Sequence, residues 1–411
     1  MAASLQNALG LYLSIPFCRG KCTYCNFASG VYPASDHARY VDRLLEDMAK
    51  TAKWADQMRV YLPRKVDTVY FGGGTPVLLE AELFQRIFAA IRTDFAIDSD
   101  AEVTVECAPG QLSDAVLDAL VAAGVNRVSL GVQSFVDREA QLSGRFHTRA
   151  VVLEDVRRLR AAGITNLNID LLAGLADQTL ASWRESLAVL VETGVPHASV
   201  YMLEIDEDSR LGRELIAGGA RFSAGLVPND DSIAQMYEVA VEALAAAGLA
   251  QYEISNFAKP GMESKHNLRY WQRRPYLGLG LDASSMLRSA DDDSVLRTAA
   301  TDDLNEYLNS AGSSLETAWL GSAQQFEEAW FLGLRRNAGV NMTELRAEFG
   351  NGAVTPASTV VRRLAEEELV IVDGQTVRLT PRGRLISNDV FAEFLGLSPM
   401  INRESQTAAA R

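Results

Sequence analysis

Along the first two-thirds of the chain, short apolar runs alternate with longer stretches in which apolar residues recur every three or four positions. The runs are LYLSI (11–15), VDTVYF (66–71), AEVTVE (101–106), NRVSLGV (126–132), NLNIDLL (166–172) and HASVYMLEI (197–205). Short apolar or alternating runs of this length predict strands, and the longer period predicts helices. Helices are expected over about 36–60, 79–92, 113–123, 148–162 and 179–193, three of them stopped by Gly124, Gly163 and Gly194. Strand followed by helix, repeated, builds parallel sheets, because each crossover returns the chain to the same edge. Six such units can curl into an open (β/α)6 barrel, an α/β fold whose chemistry gathers at the C-terminal ends of the strands.

Beyond that region the pattern changes. From 284 to 325 the chain turns polar, with RSADDDS and LNSAGSS, which predicts loops or a connecting region. QQFEEAWFLGLR and STVVRRLAEEELV then read as helices, and LVIVDGQTVRLT as a hairpin turning at Asp373-Gly374. The expected organisation is a barrel domain over 1–283, a connector over 284–325, and a small winged-helix-like α+β domain over 326–411. The final ESQTAAAR is expected to be disordered.

Composition narrows the function. A net charge of −14 over 411 residues argues against nucleic acid as a partner, since phosphate binding needs a basic face. The C-terminal region has seven arginines against seven acidic residues from Pro356 onward, so its hairpin offers no basic reading surface. No apolar run is long enough to span a bilayer, and the N-terminus lacks the features of a signal peptide. Four cysteines in so long a chain cannot form a disulfide framework, which points to reducing cytoplasm.

Polar residues cluster at the predicted strand ends. Gly72-Gly73-Gly74-Thr75 follows the second strand, Glu106 ends the third and Gln133 the fourth; Asp170 lies in the fifth and Glu204 near the end of the sixth. Taken singly, a carboxylate there can be a helix cap and a glycine a turn. The first strand leads into IPFCRGKCTYCNF, where Cys18, Cys22 and Cys25 are spaced C-x3-C-x2-C. A closed zinc site wants four ligands. The remaining thiol, Cys107, and the histidines His37, His147, His197 and His266 show no ligand spacing with the motif. A [4Fe–4S] cubane held by three thiolates leaves one iron open to a small molecule, which is the logic of a catalytic centre.

The C-x3-C-x2-C motif after a first strand, with Tyr24 before the last cysteine, resembles the signature of the radical S-adenosylmethionine (SAM) enzymes. YFGGGTP (70–76), VECAPG, GVQSF, NIDLLAGL, QYEISNFAKPG, HNLRYW and YLGLG together resemble the oxygen-independent coproporphyrinogen oxidase-like group of that superfamily. The resemblance implies that the open iron chelates SAM and that the reduced cluster cleaves it to a deoxyadenosyl radical. It also implies SAM contacts for Tyr12, Tyr24, Gly73, Gly74, Thr75, Glu106, Gln133, Arg145 and Asp170. Arg145 suits the methionine carboxylate, and Glu106 and Asp170 suit ribose hydroxyls or the amine.

Two branches of the group compete. The dehydrogenases continue the motif as C-x3-C-x2-C-x-C and carry an N-terminal extension; here position 27 is Phe27, and 17 residues precede Cys18. HNLRYW matches the HNxxYW motif of the other branch, the heme chaperones. That branch implies heme as cargo, recipient hemoproteins that include membrane-bound ones, and peripheral membrane contact, with a homodimer as one arrangement. Coproporphyrinogen III dehydrogenase is the alternative. Within HNLRYW, His266 is the candidate heme ligand, with Tyr270 and Trp271 as flat neighbours expected near the barrel's mouth. A histidine so placed can equally be a packed, hydrogen-bonded core residue.

Overall fold

The computed structural model describes residues 8–310 and 315–397, and divides into two compact units. The predicted tail lies outside the described residues. In the first unit, six strands run parallel in chain order: β1 (Leu9–Ile15), β2 (Lys65–Gly73), β3 (Ala96–Cys107), β4 (Arg127–Gln133), β5 (Asn166–Ala173) and β6 (His197–Met202). Helices Ser35–Met58, Ala81–Asp94, Asp114–Ala123, Arg149–Ala161 and Leu180–Thr193 separate them. Gly124 and Gly194 close their helices in the left-handed conformation, at φ 90° and 66°, as the stop signals require.

Strand register sets which side chains enter the barrel. Gly10 pairs with Thr68, Thr68 with Glu102, Thr104 with Arg127, Ser129 with Asn168, and Asn168 with His197. Side chains alternate along a strand, so positions two apart share a face. Tyr12, Tyr70, Thr104, Glu106, Ser129, Asp170 and Ser199 therefore fall on the lumen side. The intervening Leu11, Leu13, Val69, Phe71, Val103, Val105, Val128 and Leu130 are buried outside it. The lumen is polar and the outer layer is apolar.

The sheet extends further than the six-unit reading. Tyr276–Leu279 adds a parallel strand beside β1, and Asn256–Ala258 pairs antiparallel with β6. The 284–325 stretch, expected to be loops, instead contains strands Ser284–Ser289, Val295–Ala300 and Leu315–Leu320 and helix Leu304–Asn309. Met286, Leu287, Val295, Leu296, Leu304 and Tyr307 anchor these elements in buried positions. The strands are short and separated by Ser/Asp-rich turns, so the turns dominate the local composition.

The second unit packs helix Ser322–Arg335 with the helical stretch Met342–Glu366, which breaks at Gly350 (φ 82°). A three-stranded antiparallel sheet accompanies them, built on the hairpin Val370–Asp373 and Thr376–Leu379. The observed pairing of Asp373 with Thr376 puts the turn at Gly374-Gln375, one residue later than expected. Trp330 stacks on Phe394 with ring centroids 4.3 Å apart at the centre of this core.

Candidate functional site

The loop after β1 holds the three cysteines at the C-terminal mouth of the barrel. It is pinned by backbone bonds from Cys18 N to Gly30 O (2.8 Å) and from Gly30 N to Pro16 O (2.9 Å). Thr23 N donates to Ser143 O (3.0 Å), tying the loop to the C-terminus of the short helix Asp137–Leu142 after β4. All three thiols are free and half-buried. Burial pushes the Cys18 thiol up, against hydrogen bonds from Ser29 and Thr75 that favour the thiolate. Phe27 sits 61% exposed on the same loop.

The glycine strip supports this loop from behind. A Cβ on Gly74 would lie 2.7 Å from Phe17 O and 2.9 Å from Ile15 O. Gly73 adopts φ 102°, a conformation that favours glycine. Both glycines are thus required by the packing of the β2 end against the chain entering the cysteine loop. Thr75 is buried, donates its backbone N–H to Phe17 O (2.7 Å) and places Oγ1 4.0 Å from Cys18 Sγ.

Two groups of lumen residues reach up to the loop. Tyr12 and Tyr70 stack at 6.1 Å, and Tyr70 Oη donates to Glu106 Oε1 at 2.8 Å. Burial raises the Glu106 carboxyl to about 7, with Tyr70 and the Gly73 N–H opposing and the neighbouring Asp170 adding to the rise. Asp170 is itself raised by burial, while accepting from Asn168 Nδ2 (2.7 Å) and Ser129 Oγ (3.2 Å). In the other group, Arg145 meets Tyr24 beside Cys22 and within the field of Asp170. Burial works against its charge, and these anionic or polar neighbours more than offset it. Gly131 makes room for Arg145: a Cβ there would lie 2.7 Å from Nη2. Gln133 ends β4 at φ 71°, its Nε2 close to the same glycine.

The site therefore brings Tyr12, Tyr24, Gly73, Gly74, Thr75, Glu106, Gln133, Arg145 and Asp170 around one mouth with the cysteines. It leaves two candidates out. Glu204 lies beyond the end of β6 and is exposed, and the side chain three residues earlier, Tyr201, faces the lumen instead. His266 lies one layer below Tyr12 and Tyr70, its ring centroid 6.4 and 5.1 Å from theirs. Its helix, Lys265–Trp271, starts on the Glu102 carboxylate, which accepts from the N–H groups of Lys265 and His266 (3.0 Å each). Arg269, fully buried, donates to Ala8 O (2.9 Å) and Pro275 O (2.7 Å) and pairs with Asp67. Ala8 precedes β1, Pro275 precedes the strand Tyr276–Leu279 and Asp67 lies six residues before the end of β2, about 20 Å at ~3.3 Å per residue. The expectation that HNLRYW lies at the mouth is corrected: it closes the floor. His266 is 1% exposed, with Nδ1 2.9 Å from Thr68 Oγ1 and Nε2 2.8 Å from Tyr270 Oη. Burial lowers its pKa to about 3, so the ring is neutral and both nitrogens are engaged. Trp271, expected to flank a porphyrin, lies under the Arg335 guanidinium in the second unit (4.4 Å).

Sequence reading missed the middle of the lumen. Thr104 Oγ1, Arg127 Nε and Asn166 Oδ1 are buried without hydrogen-bond partners, and register places them on one rung of adjacent strands. Arg145 Nε is unpartnered as well. Unsatisfied buried polar atoms are rare in folded proteins and mark places where water or a ligand completes the bonding. Their signal in the sequence is the polar alternate position in RVSLG and NLNID.

The donor set fits an iron–sulfur cluster better than a single ion. Among the described residues, no three Cys, His, Asp or Glu side chains converge on one metal position. A cubane asks for less convergence, since each thiolate takes its own iron. Cys107 is no fourth ligand: it is 2% exposed, on the outer face of β3, and burial pushes its thiol well up.

Residues 12–190 match the radical SAM superfamily model, and residues 321–386 match the HemN C-terminal domain. The chain is 33% identical to the heme chaperone HemW of Lactococcus lactis, over 95% of this chain and 98% of that protein. It is 34% identical to HemW of Bacillus subtilis over 94% and 98%. The chain belongs to the HemW family of radical SAM proteins. Membership brings a [4Fe–4S] cluster and SAM with it. The solved coproporphyrinogen III oxidase HemN of Escherichia coli superposes with a TM-score of 0.80, covering 95% of this chain and 90% of that one, at 23% identity. That likeness establishes the shared fold. Among the described residues, no helix is long and apolar enough to cross a membrane.

Proposed function

We propose that this protein is a heme chaperone, binding heme and delivering it to hemoproteins from a radical-SAM scaffold. The observation that carries the reading is similarity along nearly the whole chain to proteins named heme chaperones, both units included. Phe27, where the dehydrogenase branch continues its cysteine motif, supports the same choice. Cys18, Cys22 and Cys25 would hold the cluster. Tyr12, Tyr24, Gly73, Gly74, Thr75, Glu106, Gln133, Arg145 and Asp170 would surround SAM. In that arrangement Arg145 binds the methionine carboxylate, and Glu106 and Asp170 accept hydrogen bonds from its amine or ribose. The cluster and SAM together supply one-electron chemistry; the chain supplies their orientation. We place the protein in the cytoplasm, as a monomer or homodimer, meeting membrane-bound recipients at the membrane surface.

The test is anaerobic titration of cluster-loaded protein with heme and, separately, with coproporphyrinogen III plus SAM and reductant. Saturable heme binding without protoporphyrinogen IX formation is expected. Turnover comparable to an authentic dehydrogenase would replace this reading with the enzymatic one.

A further inference from the structure

Arg127 lies in the middle of the barrel lumen and makes none of the contacts that build the mouth. It begins β4 and is 2% exposed. Its register partners are Thr104 and Asn166, and Ser129, two residues on, pairs with Glu106 and Asn168. Arg127 therefore stands one layer below Glu106 and below the Ser129 hydroxyl that donates to Asp170. Its Nε has no hydrogen-bond partner, and among the described residues its guanidinium enters no salt bridge. A buried charge without a contact partner is costly and persists only where other charges compensate it.

The anions in reach are those of the mouth. Burial raises the Glu106 and Asp170 carboxyls, and the Arg127 charge works against that rise in both. The other titratable groups facing the pair are Tyr12, Tyr70, Tyr201, Tyr270 and Arg145. Burial holds the four phenols protonated, and Arg145 lies against Tyr24 beside Cys22. On the other side of Arg127, burial and then the same charge keep His266 and His197 neutral. Separation matters here. A contact salt bridge would occupy the carboxylate oxygens, whereas a guanidinium one layer below supplies the charge and leaves those oxygens open. At the effective dielectric of protein interiors, a charge one layer away shifts a buried carboxyl by about one to two pH units.

We infer that Arg127 is a positioning residue for SAM: from beneath, it keeps the Glu106–Asp170 pair in its accepting form without occupying the oxygens that meet the amine and ribose. The inference rests on the SAM arrangement proposed above.

The experiment uses full-length, cluster-loaded protein under argon, with SAM affinity measured by calorimetry between about pH 6 and 9. Wild type should lose affinity below about pH 7, where Glu106 titrates. Arg127→Met and Arg127→Gln remove the charge at similar length and should move that break upward by about one unit or more. Their affinity should then be roughly fivefold or more below wild type at pH 7, yet within about twofold of it at pH 9. SAM's own titration is common to all variants and cancels in the comparison. Arg127→Lys, which keeps the charge, should bring the break back to within about half a unit of wild type. A loss of equal size at every pH, or a break left in place by both neutral variants, would overturn the inference. If one neutral variant does not fold, the other carries the test; if neither folds, the charge serves the core and the inference falls. Glu106→Gln separates the two readings. If it binds SAM as wild type does at every pH, the SAM arrangement fails and the inference with it. If it flattens the profile while the neutral Arg127 variants leave the break in place, the Arg127 inference fails alone.

Discussion

In a His266→Ala variant, the two roles available to this imidazole give opposite results. The ring bridges Thr68 Oγ1 and Tyr270 Oη at 2.9 and 2.8 Å and stacks 5.1 Å from the Tyr70 ring. Its loss removes two buried hydrogen bonds, each contributing about 1 kcal/mol net, and leaves a ring-sized void. Truncating a buried aromatic ring alone costs about 3–5 kcal/mol where the site cannot collapse. Imidazole is smaller and more polar than the rings behind that figure, so a total of roughly 3–5 kcal/mol is expected. The assay is urea unfolding followed by far-UV circular dichroism, with iron and heme binding measured on the folded fraction. The midpoint should fall clearly, while folded molecules keep the cluster and wild-type heme affinity. His266→Gln, which can retain one of the two bonds, should recover part of the loss. A variant that unfolds like wild type but no longer binds heme would refute the floor assignment and restore His266 as a ligand.

Cys107→Ala should keep full iron–sulfur absorbance, whereas serine at Cys18, Cys22 or Cys25 should abolish it; anaerobic iron and sulfide analysis reads both, and cluster loss in the first would overturn the ligand set. Asp170→Ala should weaken SAM binding at least tenfold with iron content intact, and unchanged affinity by calorimetry would remove that residue from the site. With Glu106 raised to about 7, a ligand that binds its carboxylate form should lose up to about tenfold affinity per pH unit below 7. Glu106→Gln should flatten that profile, and an equally steep profile in the variant would assign the titration to another group. Stability should also fall with acid. His147 at about 4, His266 at about 3 and His197, well lowered, are buried neutral, so the unfolded chain takes up their protons first below about pH 6.5. The raised carboxyls Glu106, Glu139, Asp170 and Asp282 act in the opposite sense, Glu106 being the one raised as far as about 7. Unfolding midpoints that hold steady or rise between pH 7 and 5 would contradict this.

The barrel was legible because its signals are local. Apolar runs, helical periods and the stops at Gly124, Gly163 and Gly194 each sit within a dozen residues of the element they define. The mouth residues were legible for a related reason: a strand end is a fixed place in a βα unit, so Glu106 and Gln133 could be assigned to it from position alone. The lumen was not. Thr68, Thr104, Arg127 and Asn168 occupy alternate positions that could equally have faced water, and only register across strands shows that they meet inside. HNLRYW failed for the same reason at longer range. Its position depends on Arg269 reaching Ala8, a partner 261 residues away, and no local pattern encodes that. Nor did the sequence reveal why Gly10 and Gly131 are glycines. Each leaves room for an arginine from elsewhere, since a Cβ on Gly10 would lie 2.4 Å from Arg269 Cδ.

These contacts give the barrel two chemically different ends. At the mouth the cysteine loop is half-exposed and its thiols are free; below it Ser264, His266 and Arg269 are buried and bonded to Glu102, Thr68 and Ala8. A small ligand such as SAM can use the mouth, where Arg145 Nε is buried without a partner. A rigid macrocycle has no comparable claim on the floor: reaching His266 there would require breaking the Thr68 and Tyr270 bonds and displacing the Glu102-capped helix. Opening so many buried polar contacts would leave several unpaired at once, each costing about 1–3 kcal/mol. A heme bound at low cost must therefore use a surface that is already open.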